Sequence, residues 1–184
     1  MNVLAQKTRP LRRVEYDSLV ELGFFTDERL ELLEGILVPM SPQGGRHASS
    51  IQKLTMALAP ALVGRAELRV QSPFAASEES EPEPDLAVVP EGDYVSEHPA
   101  RAFLLIEVAD SSIERDRAKA RLYAACGVPE YWLVNLEADA VEVFRSPSRD
   151  GYTSVARFGR GEVLRLAAFP EVTVATDLAL TRRA

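Results

Sequence analysis

The segment from residue 102 to residue 109, AFLLIEVA, is almost entirely apolar and carries a single charged residue, Glu107. A continuous apolar run of this length predicts a central β-strand that is covered on both faces. In such a strand Glu107 shares one face with Leu105 and Ala109, and the residues between them face the other way. An ionised carboxylate in a central strand is costly unless a cation pairs with it. The segment therefore predicts a sheet with a layer on each side and a cation close to Glu107.

Helical and strand-like patterns alternate along the rest of the chain. Apolar spacing predicts helices over residues 14–22 and about 46–62, and a third helix that begins at a Ser111–Glu114 capping box and ends at Gly127. Residues 29–40 fit a helix or a hairpin, and Gly35, which splits two short apolar runs, favours the hairpin. Further strands are expected at residues 67–71, 85–89, 130–135, 140–145 and 151–158, in the segments EVLRL and VTVAT, and near Phe74. In the third helix, we expect the inward stripe to consist of Ala118, Leu122 and Ala125.

The order helix, hairpin, helix, strands, helix and strands predicts the fold class. It indicates an α/β (α+β) domain with a central mixed β-sheet flanked by helices and with additional β-hairpins at both ends. The chain has 184 residues, of which 46% are hydrophobic, and this is enough for one domain with a core. We therefore expect a single domain over residues 1–184, with residues 1–13 as an N-terminal arm.

Composition narrows the classes of function. The formal net charge of −7 argues against a protein that coats nucleic acid by charge alone, but it allows an enzyme with a local basic surface. No apolar run approaches the roughly 20 residues that span a bilayer, so no membrane association is expected. The single cysteine, Cys126, cannot form an internal disulfide, and the N-terminus has no signal-peptide pattern. We expect a cytoplasmic protein.

A second carboxylate precedes another short apolar strand. In EPEPDLAVVP, residues 81–90, Pro84 is followed by Asp85 and then by the strand. If this strand lies beside the one that carries Glu107, the two carboxylates meet at one point of the sheet. Converging carboxylates form the oxygen-rich ligand set that Mg²⁺ or Mn²⁺ prefers. Two other readings stay open: Asp85 caps a turn, or Glu107 pairs with a buried arginine.

This pair of acids resembles the PD-(D/E)XK nuclease superfamily, in which Pro84–Asp85 and Glu107 match the first two motif positions. The usual third position is a lysine two residues after the second acid, where this chain has Ala109.

A longer stretch, IEVADSSIERDRAKARLYAACGVPEYWLVN, resembles more closely the Uma-type family of restriction endonucleases within that superfamily. Members of this family carry the lysine on the next helix, and Lys119 matches it here. Upstream, RLELLEGILVPMSPQGGRH resembles the opening of the family, with Glu34 and His47 at its acidic and histidine positions. The resemblance covers roughly residues 14 to 145.

The resemblance implies a restriction-endonuclease-like core and a Mg²⁺- or Mn²⁺-dependent DNA endonuclease that hydrolyses phosphodiester bonds. The residues then expected to hold the metal are Asp85, Glu107 and Glu34, and the catalytic set adds Lys119. Accessory roles are expected for His47 and Tyr123. Positive charge on one helix predicts phosphate contacts by Arg115, Arg117 and Arg121. Cutting of two strands often needs two active sites, so a homodimer is a further expectation from the resemblance.

Plainer interpretations compete with these assignments. Lys119 could pair with Asp116 at the i, i+3 spacing of a helix surface, and His47 could simply begin a helix. Tyr123 could belong to the core, and the arginines could form a solvated face. At the level of function, Ala109 and the net acidity favour a binding protein that keeps a nuclease scaffold without the chemistry. A metal-dependent hydrolase of another phosphate substrate, such as a nucleotide, is the third hypothesis.

Overall fold

A computed structural model describes residues 9–182 of the chain. In chain order the elements are α1 (Arg13–Glu21), β1 (Leu30–Leu33), β2 (Ile36–Pro39), α2 (Gly45–Leu62), β3 (Glu67–Val70), β4 (Leu86–Val89), β5 (Leu104–Ala109), α3 (Ile113–Ala125), β6 (Glu130–Asn135), β7 (Ala140–Ser148), β8 (Gly151–Phe158), β9 (Val163–Arg165), β10 (Thr173–Ala175) and α4 (Thr176–Ala179). Over the described range, no helix is both long enough and apolar enough to cross a bilayer.

The central sheet has six strands in the order β3-β4-β5-β6-β7-β8. Strands β5 and β6 are parallel and are joined by α3, and every other neighbouring pair is antiparallel. Two separate hairpins, β1–β2 and β9–β10, lie toward the two ends of the chain. The predicted mixed sheet with flanking helices and terminal hairpins is confirmed.

Strand β5 is buried over its whole length, as its apolar run predicts. Leu104, Ile106 and Val108 pack into one core with α2, α4 and the β9–β10 hairpin. Leu105 and Ala109 face a second core on the side of α3. Because both faces of the strand are covered, the side chain of Glu107 cannot reach bulk water without an opening at the edge of the α3 layer.

The segment 29–40 forms the hairpin and not the helix. Glu34 and Gly35 have φ values of 49° and 77°, as the two central residues of a type I′ turn require. A Cβ on Gly35 would lie 2.2 Å from Cβ of Pro10, and the Gly35 carbonyl accepts the amide of Leu11 at 3.0 Å. Of the arm expected over residues 1–13, residues 1–8 lie outside the described residues, whereas Pro10 and Leu11 pack on this turn. The single domain over residues 1–184 stays a prediction.

Two expectations about α3 are wrong. The helix begins at Ile113 with Ser112 as its N-cap, and no side chain caps it, so the Ser111–Glu114 capping box does not form. The buried stripe consists of Asp116, Lys119, Ala120, Tyr123 and Ala124, and not of Ala118, Leu122 and Ala125. Lys119 and Tyr123 face inward because the carboxylate of Glu107 on β5 lies opposite them and accepts a hydrogen bond from each.

The strand expected near Phe74 is also absent from the described chain. Phe74 is fully buried, and its amide donates to the carbonyl of Pro82 at 2.9 Å. Pro73, Pro82 and Pro84 lack amide hydrogens, so a ladder of backbone hydrogen bonds cannot extend through this connection.

Candidate active site

Asp85 and Glu107 lie side by side where β4 begins. The antiparallel register pairs Leu86 with Ile106, so the next pair outward is Asp85 and Glu107. Oδ2 of Asp85 accepts the backbone amide of Val108 at 2.8 Å, and this bond ties the carboxylate to the neighbouring strand. Both acids are buried. The structure thus brings together the two carboxylates that the sequence predicted.

Helix α3 supplies two donors to Glu107. The ammonium of Lys119 lies 3.0 Å from Oε1 of Glu107, and the hydroxyl of Tyr123 donates to the same oxygen at 2.8 Å. Lys119 and Tyr123 are neighbours on one helix face because they are four residues apart. Within residues 9–182 the other oxygen, Oε2, has no hydrogen-bond donor, although Glu107 lines an open cleft. One carboxylate oxygen is therefore held and the other is available.

The third carboxylate is Glu31 and not Glu34. Oε2 of Glu31 lies 2.8 Å from the ammonium of Lys119, and the side chain of Glu31 is 1% exposed. Glu34 is exposed in the turn of the hairpin, where its amide donates to Oγ of Ser80. The hairpin register explains why Glu31 replaces Glu34. Glu34 lies at the turn, so its side chain points beyond the end of the strand that carries Glu31. The sequence held a usable signal: Glu31 interrupts the apolar run LELL as Glu107 interrupts AFLLIEVA.

His47 lies in the first turn of α2 and contacts Asp85. Its Nε2 is 3.1 Å from Oδ2 of Asp85, and its Nδ1 is buried without a hydrogen-bond partner in the described structure. Burial works against the charged ring, but the hydrogen bond and the charge of Asp85 outweigh it and raise the pKa of His47. Oδ1 of Asp85 has only a long contact, 3.4 Å, with the amide of Gln71.

Negative charge is in excess in this cluster. Burial raises the pKa of Glu107 to about 8; Lys119 opposes the shift, and Asp85, Asp116 and Glu31 add to it. Burial works against the charge of Lys119, but attraction to Glu107 and then to Glu31 outweighs it and raises the pKa of the ammonium. Four carboxylates thus face Lys119, His47 and Arg115, which lies 4.0 Å from Asp116, so the carboxylates still outnumber the positive groups and the cluster favours a further cation.

Asp116 is a buried member of this cluster that the sequence assigned only to a surface pair. Its carboxylate accepts a hydrogen bond from the hydroxyl of Ser112, and burial raises its pKa. No Lys119–Asp116 ion pair forms in the described structure, because the lysine ammonium lies between Glu31 and Glu107.

Only one of the three helix arginines lines the cleft. Arg115 lines it and donates to the carbonyl of Pro39 at 3.3 Å. Its buried Nε has no hydrogen-bond partner among the described residues. Arg117 pairs with Glu142 and Glu114 away from the cleft, and Arg121 is exposed. The cleft has a volume of 260 Å³. A water molecule takes about 30 Å³, so the cleft has room for a hydrated ion or a phosphate group.

The carboxylate oxygens of the cleft suit a hard divalent cation, but they supply only part of its coordination shell. Mg²⁺ is usually held by one or two carboxylates and completes its shell with water and substrate phosphate. Glu107 and Asp85 both line the cleft, and each has an oxygen, Oε2 and Oδ1 respectively, without a short hydrogen bond in the described residues. Over residues 9–182, no three His, Cys, Asp or Glu side chains are arranged to hold an ion by themselves. Lys119 fills the space between Glu31 and Glu107, so the residues that would hold a metal are Asp85 and Glu107.

Comparisons with known proteins concern the family and the fold. The sequence model of the family described as "Uma2: Putative restriction endonuclease" matches residues 14–180. No curated protein matches the chain. The structure resembles that of a protein from Anabaena variabilis, described as "a putative nuclease belonging to DUF820", with a TM-score of 0.75 and 17% sequence identity. The alignment covers 92% of this chain and 98% of that one, so the two proteins share the fold along almost their whole length.

Proposed function

The chain belongs to the Uma2 family, described as "Putative restriction endonuclease", and from this premise we propose that it is a metal-dependent nuclease that hydrolyses phosphodiester bonds in DNA. The observation that carries the proposal is the convergence of Asp85, Glu107 and Lys119 in one cleft, with one oxygen of Glu107 left without a donor. Mg²⁺ is the proposed cation and Mn²⁺ the alternative, because the available ligands are carboxylate oxygens.

Asp85 and Glu107 would hold the cation, and their own neighbours fix them in place. The amide of Val108 orients Asp85, and the hydroxyl of Tyr123 orients Glu107. A bound divalent cation would polarise a phosphodiester oxygen and lower the pKa of a water molecule. Such supporting contacts matter because a loosely held ligand gives weak metal affinity.

Lys119 has the role of a fixed positive charge. Its ammonium is 5% exposed and bonded to Glu31 and Glu107, and its raised pKa keeps it protonated. It therefore does not serve as a general base. In our proposal it orients Glu107 and offsets negative charge that develops on the reacting phosphate.

Arg115 is the proposed phosphate contact. It lies on the wall of the cleft, and its guanidinium has a donor to spare, since Nε makes no hydrogen bond within residues 9–182 and lies 4.0 Å from Oδ1 of Asp116. A guanidinium binds two phosphate oxygens at once, and this geometry would hold the scissile group in one orientation.

Cleavage of plasmid DNA and of single-stranded DNA in the presence of Mg²⁺ or Mn²⁺ tests the proposal. We expect cleavage by the wild-type protein, none in EDTA, and none by Asp85→Asn. Glu34→Gln is a matched control, because it also removes one carboxylate from the N-terminal half but lies outside the cleft. Metal-dependent cleavage that survives Asp85→Asn would refute the assigned site.

A nucleic-acid-binding protein without hydrolysis is the second candidate function. The observation that favours it is the position of Lys119, whose ammonium already pairs with Glu31 and Glu107 and occupies the space between them. Calorimetric titration with Mg²⁺ separates the two candidates. Tight binding that is lost in Asp85→Asn supports the nuclease, whereas DNA binding with no metal binding supports the second candidate.

The homodimer and the cytoplasmic location stay predictions. Sedimentation of the protein alone and with duplex DNA tests the first of them. A monomer under both conditions contradicts it.

A further inference from the structure

Two clefts adjoin the candidate active site on the side of α2. The cleft of the candidate active site, called the catalytic cleft below, is lined on this side by Gly44, Asp110 and His47. The first neighbouring cleft is lined by Gly45 and Arg46. Arg46 also lines the second. Because Arg46 donates to Asp110 at 2.9 Å, one ion pair forms the wall between the catalytic cleft and both neighbours.

The charges that line these two clefts are not equivalent. Arg46 is neutralised by Asp110, and Arg160 by Asp139 and Asp177. Two further cations line them, Lys53 on α2 and Arg182 after α4, and both are exposed. Neither has an ion-pair partner among the described residues. Glu137 also lines the second cleft, but within the described residues it forms no ion pair with either cation, so Lys53 and Arg182 are unpaired positive charges beside the catalytic cleft.

The spacing of these residues suits an extended polyanion. Lys53 lies six residues after His47 on the same helix, which corresponds to about 9 Å along the axis. One base pair of DNA rises about 3.4 Å along the duplex, so this distance spans roughly three base pairs. One face of α2 lines this cleft with residues spaced four apart, namely Gly45, Ser49 and Lys53. Because Gly45 and Ser49 are small, they leave room for a DNA backbone to approach.

We propose that Lys53 and Arg182 bind the sugar–phosphate backbone of DNA two to four nucleotides away from the phosphate in the catalytic cleft. This inference rests on the proposed function for the identity of the ligand. It adds the direction in which the DNA leaves the catalytic cleft, which is along α2 toward Arg182.

The test is fluorescence anisotropy of a labelled 24-base-pair duplex with the full chain in EDTA, at several salt concentrations. The double variant Lys53→Ala/Arg182→Ala should bind several-fold more weakly than wild type. Its plot of log affinity against log salt should be less steep by roughly 2, because about one unit of slope is lost with each phosphate contact. The matched control is Arg149→Ala/Arg165→Ala, which also removes two exposed positive charges but lies away from these clefts.

Loss of affinity in the first double variant alone supports the proposal. Equal loss in both double variants overturns it, because net charge then explains the effect. Unchanged binding in the first variant, or no DNA binding by the wild-type protein, overturns it as well.

Cleavage kinetics distinguish this inference from the proposed function. In the presence of Mg²⁺ the first double variant should show a higher KM for DNA with kcat unchanged, since Lys53 and Arg182 do not touch the reacting phosphate. A single-phosphate diester, bis(4-nitrophenyl) phosphate, should be hydrolysed equally by wild type and variant. If the variant cleaves DNA with the wild-type KM, the proposed nuclease activity stands and the proposed backbone contacts of Lys53 and Arg182 are refuted.

Discussion

Two buried glutamates on neighbouring parallel strands, Glu107 on β5 and Glu130 on β6, have opposite surroundings. Oε1 of Glu130 accepts hydrogen bonds from Trp132 at 2.9 Å and from the guanidinium of Arg145 at 2.8 and 2.6 Å. Its Oε2 accepts the backbone amide of Ala167 at 2.7 Å. Both oxygens are satisfied, so Glu130 fastens the C-terminal segment to the sheet.

Glu107 receives both of its donors, Lys119 and Tyr123, on one oxygen and turns the other toward a cleft. The two residues are almost equally buried, so burial alone does not separate a structural carboxylate from a candidate catalytic one. The number and direction of the donors do, because an oxygen that faces a cleft without a protein donor is free to bind a ligand or an ion.

The largest effect expected from this contrast is on catalysis. Glu107→Gln should lower DNA cleavage about 100- to 1000-fold, since a group that holds charge at the reacting centre contributes about 3–4 kcal/mol. Glu130→Gln is the matched control and should cleave within about twofold of wild type at temperatures where it is folded. Comparable losses in both variants would break the contrast. Single-turnover assays at saturating Mg²⁺ measure both.

The contrast predicts the reverse order for stability. Glu130→Ala leaves the buried indole N–H of Trp132 and the backbone amide of Ala167 without their acceptor and should lower the free energy of unfolding by about 3 kcal/mol. For a chain of this size, such a loss lowers Tm by about 10 °C. Glu107→Ala should cost less, because burial already opposes the ionised form of that side chain. Thermal unfolding followed by circular dichroism decides, and a larger loss in Glu107→Ala would contradict the assignment.

A third buried glutamate, Glu81, sharpens the comparison by its pH dependence. Its nearest cation, Arg13, is 3.8 Å away, and His98, whose own pKa is lowered by burial, lies at the same distance. Burial together with the charge of Asp17 raises the pKa of Glu81 to about 7. The pKa of Glu81 in the folded state exceeds its unfolded value of 4.5. The contribution of protonated Glu81 to the free energy of unfolding is therefore full below pH 4.5 and is lost as the pH rises through 7. The loss amounts to about 3 kcal/mol, at 1.36 kcal/mol per pKa unit.

Glu81→Gln removes this titrating group, so its free energy of unfolding should change less between pH 4.5 and pH 8 than that of wild type. Urea unfolding at four pH values in this range measures the difference. Parallel pH profiles for the two proteins would show that the surroundings of Glu81 do not control its protonation.

The smallest expected effect separates two carboxylates of the β1–β2 hairpin. Glu31→Gln should lower cleavage about 10- to 100-fold, because Lys119 loses one of its two partners and Glu107 is held less firmly. Glu34→Gln should have no effect on the rate. Measurement of kcat for both variants tests the correction, and a loss confined to Glu34→Gln would restore the original assignment.

The sequence determined much of the fold because the relevant signals are local. An apolar run with one charge identified β5, the turn chemistry of Gly35 favoured the hairpin, and the approach through Pro84 marked Asp85. Period and turn geometry depend on residues a few positions apart, so they can be read from the chain. Asp85, Glu107 and Lys119 were found in this way and through the resemblance to a family.

Only the tertiary structure decided which acids have partners. Glu31 reaches Lys119 across 88 residues of sequence (119 − 31), and Glu130 is fixed by Ala167, 37 residues further along the chain. The inward face of α3 was likewise set by the carboxylate opposite it and not by the spacing of its alanines. Hydrogen bonds and desolvation depend on which side chains the fold brings within about 3 Å of each other, and no local pattern contains that information.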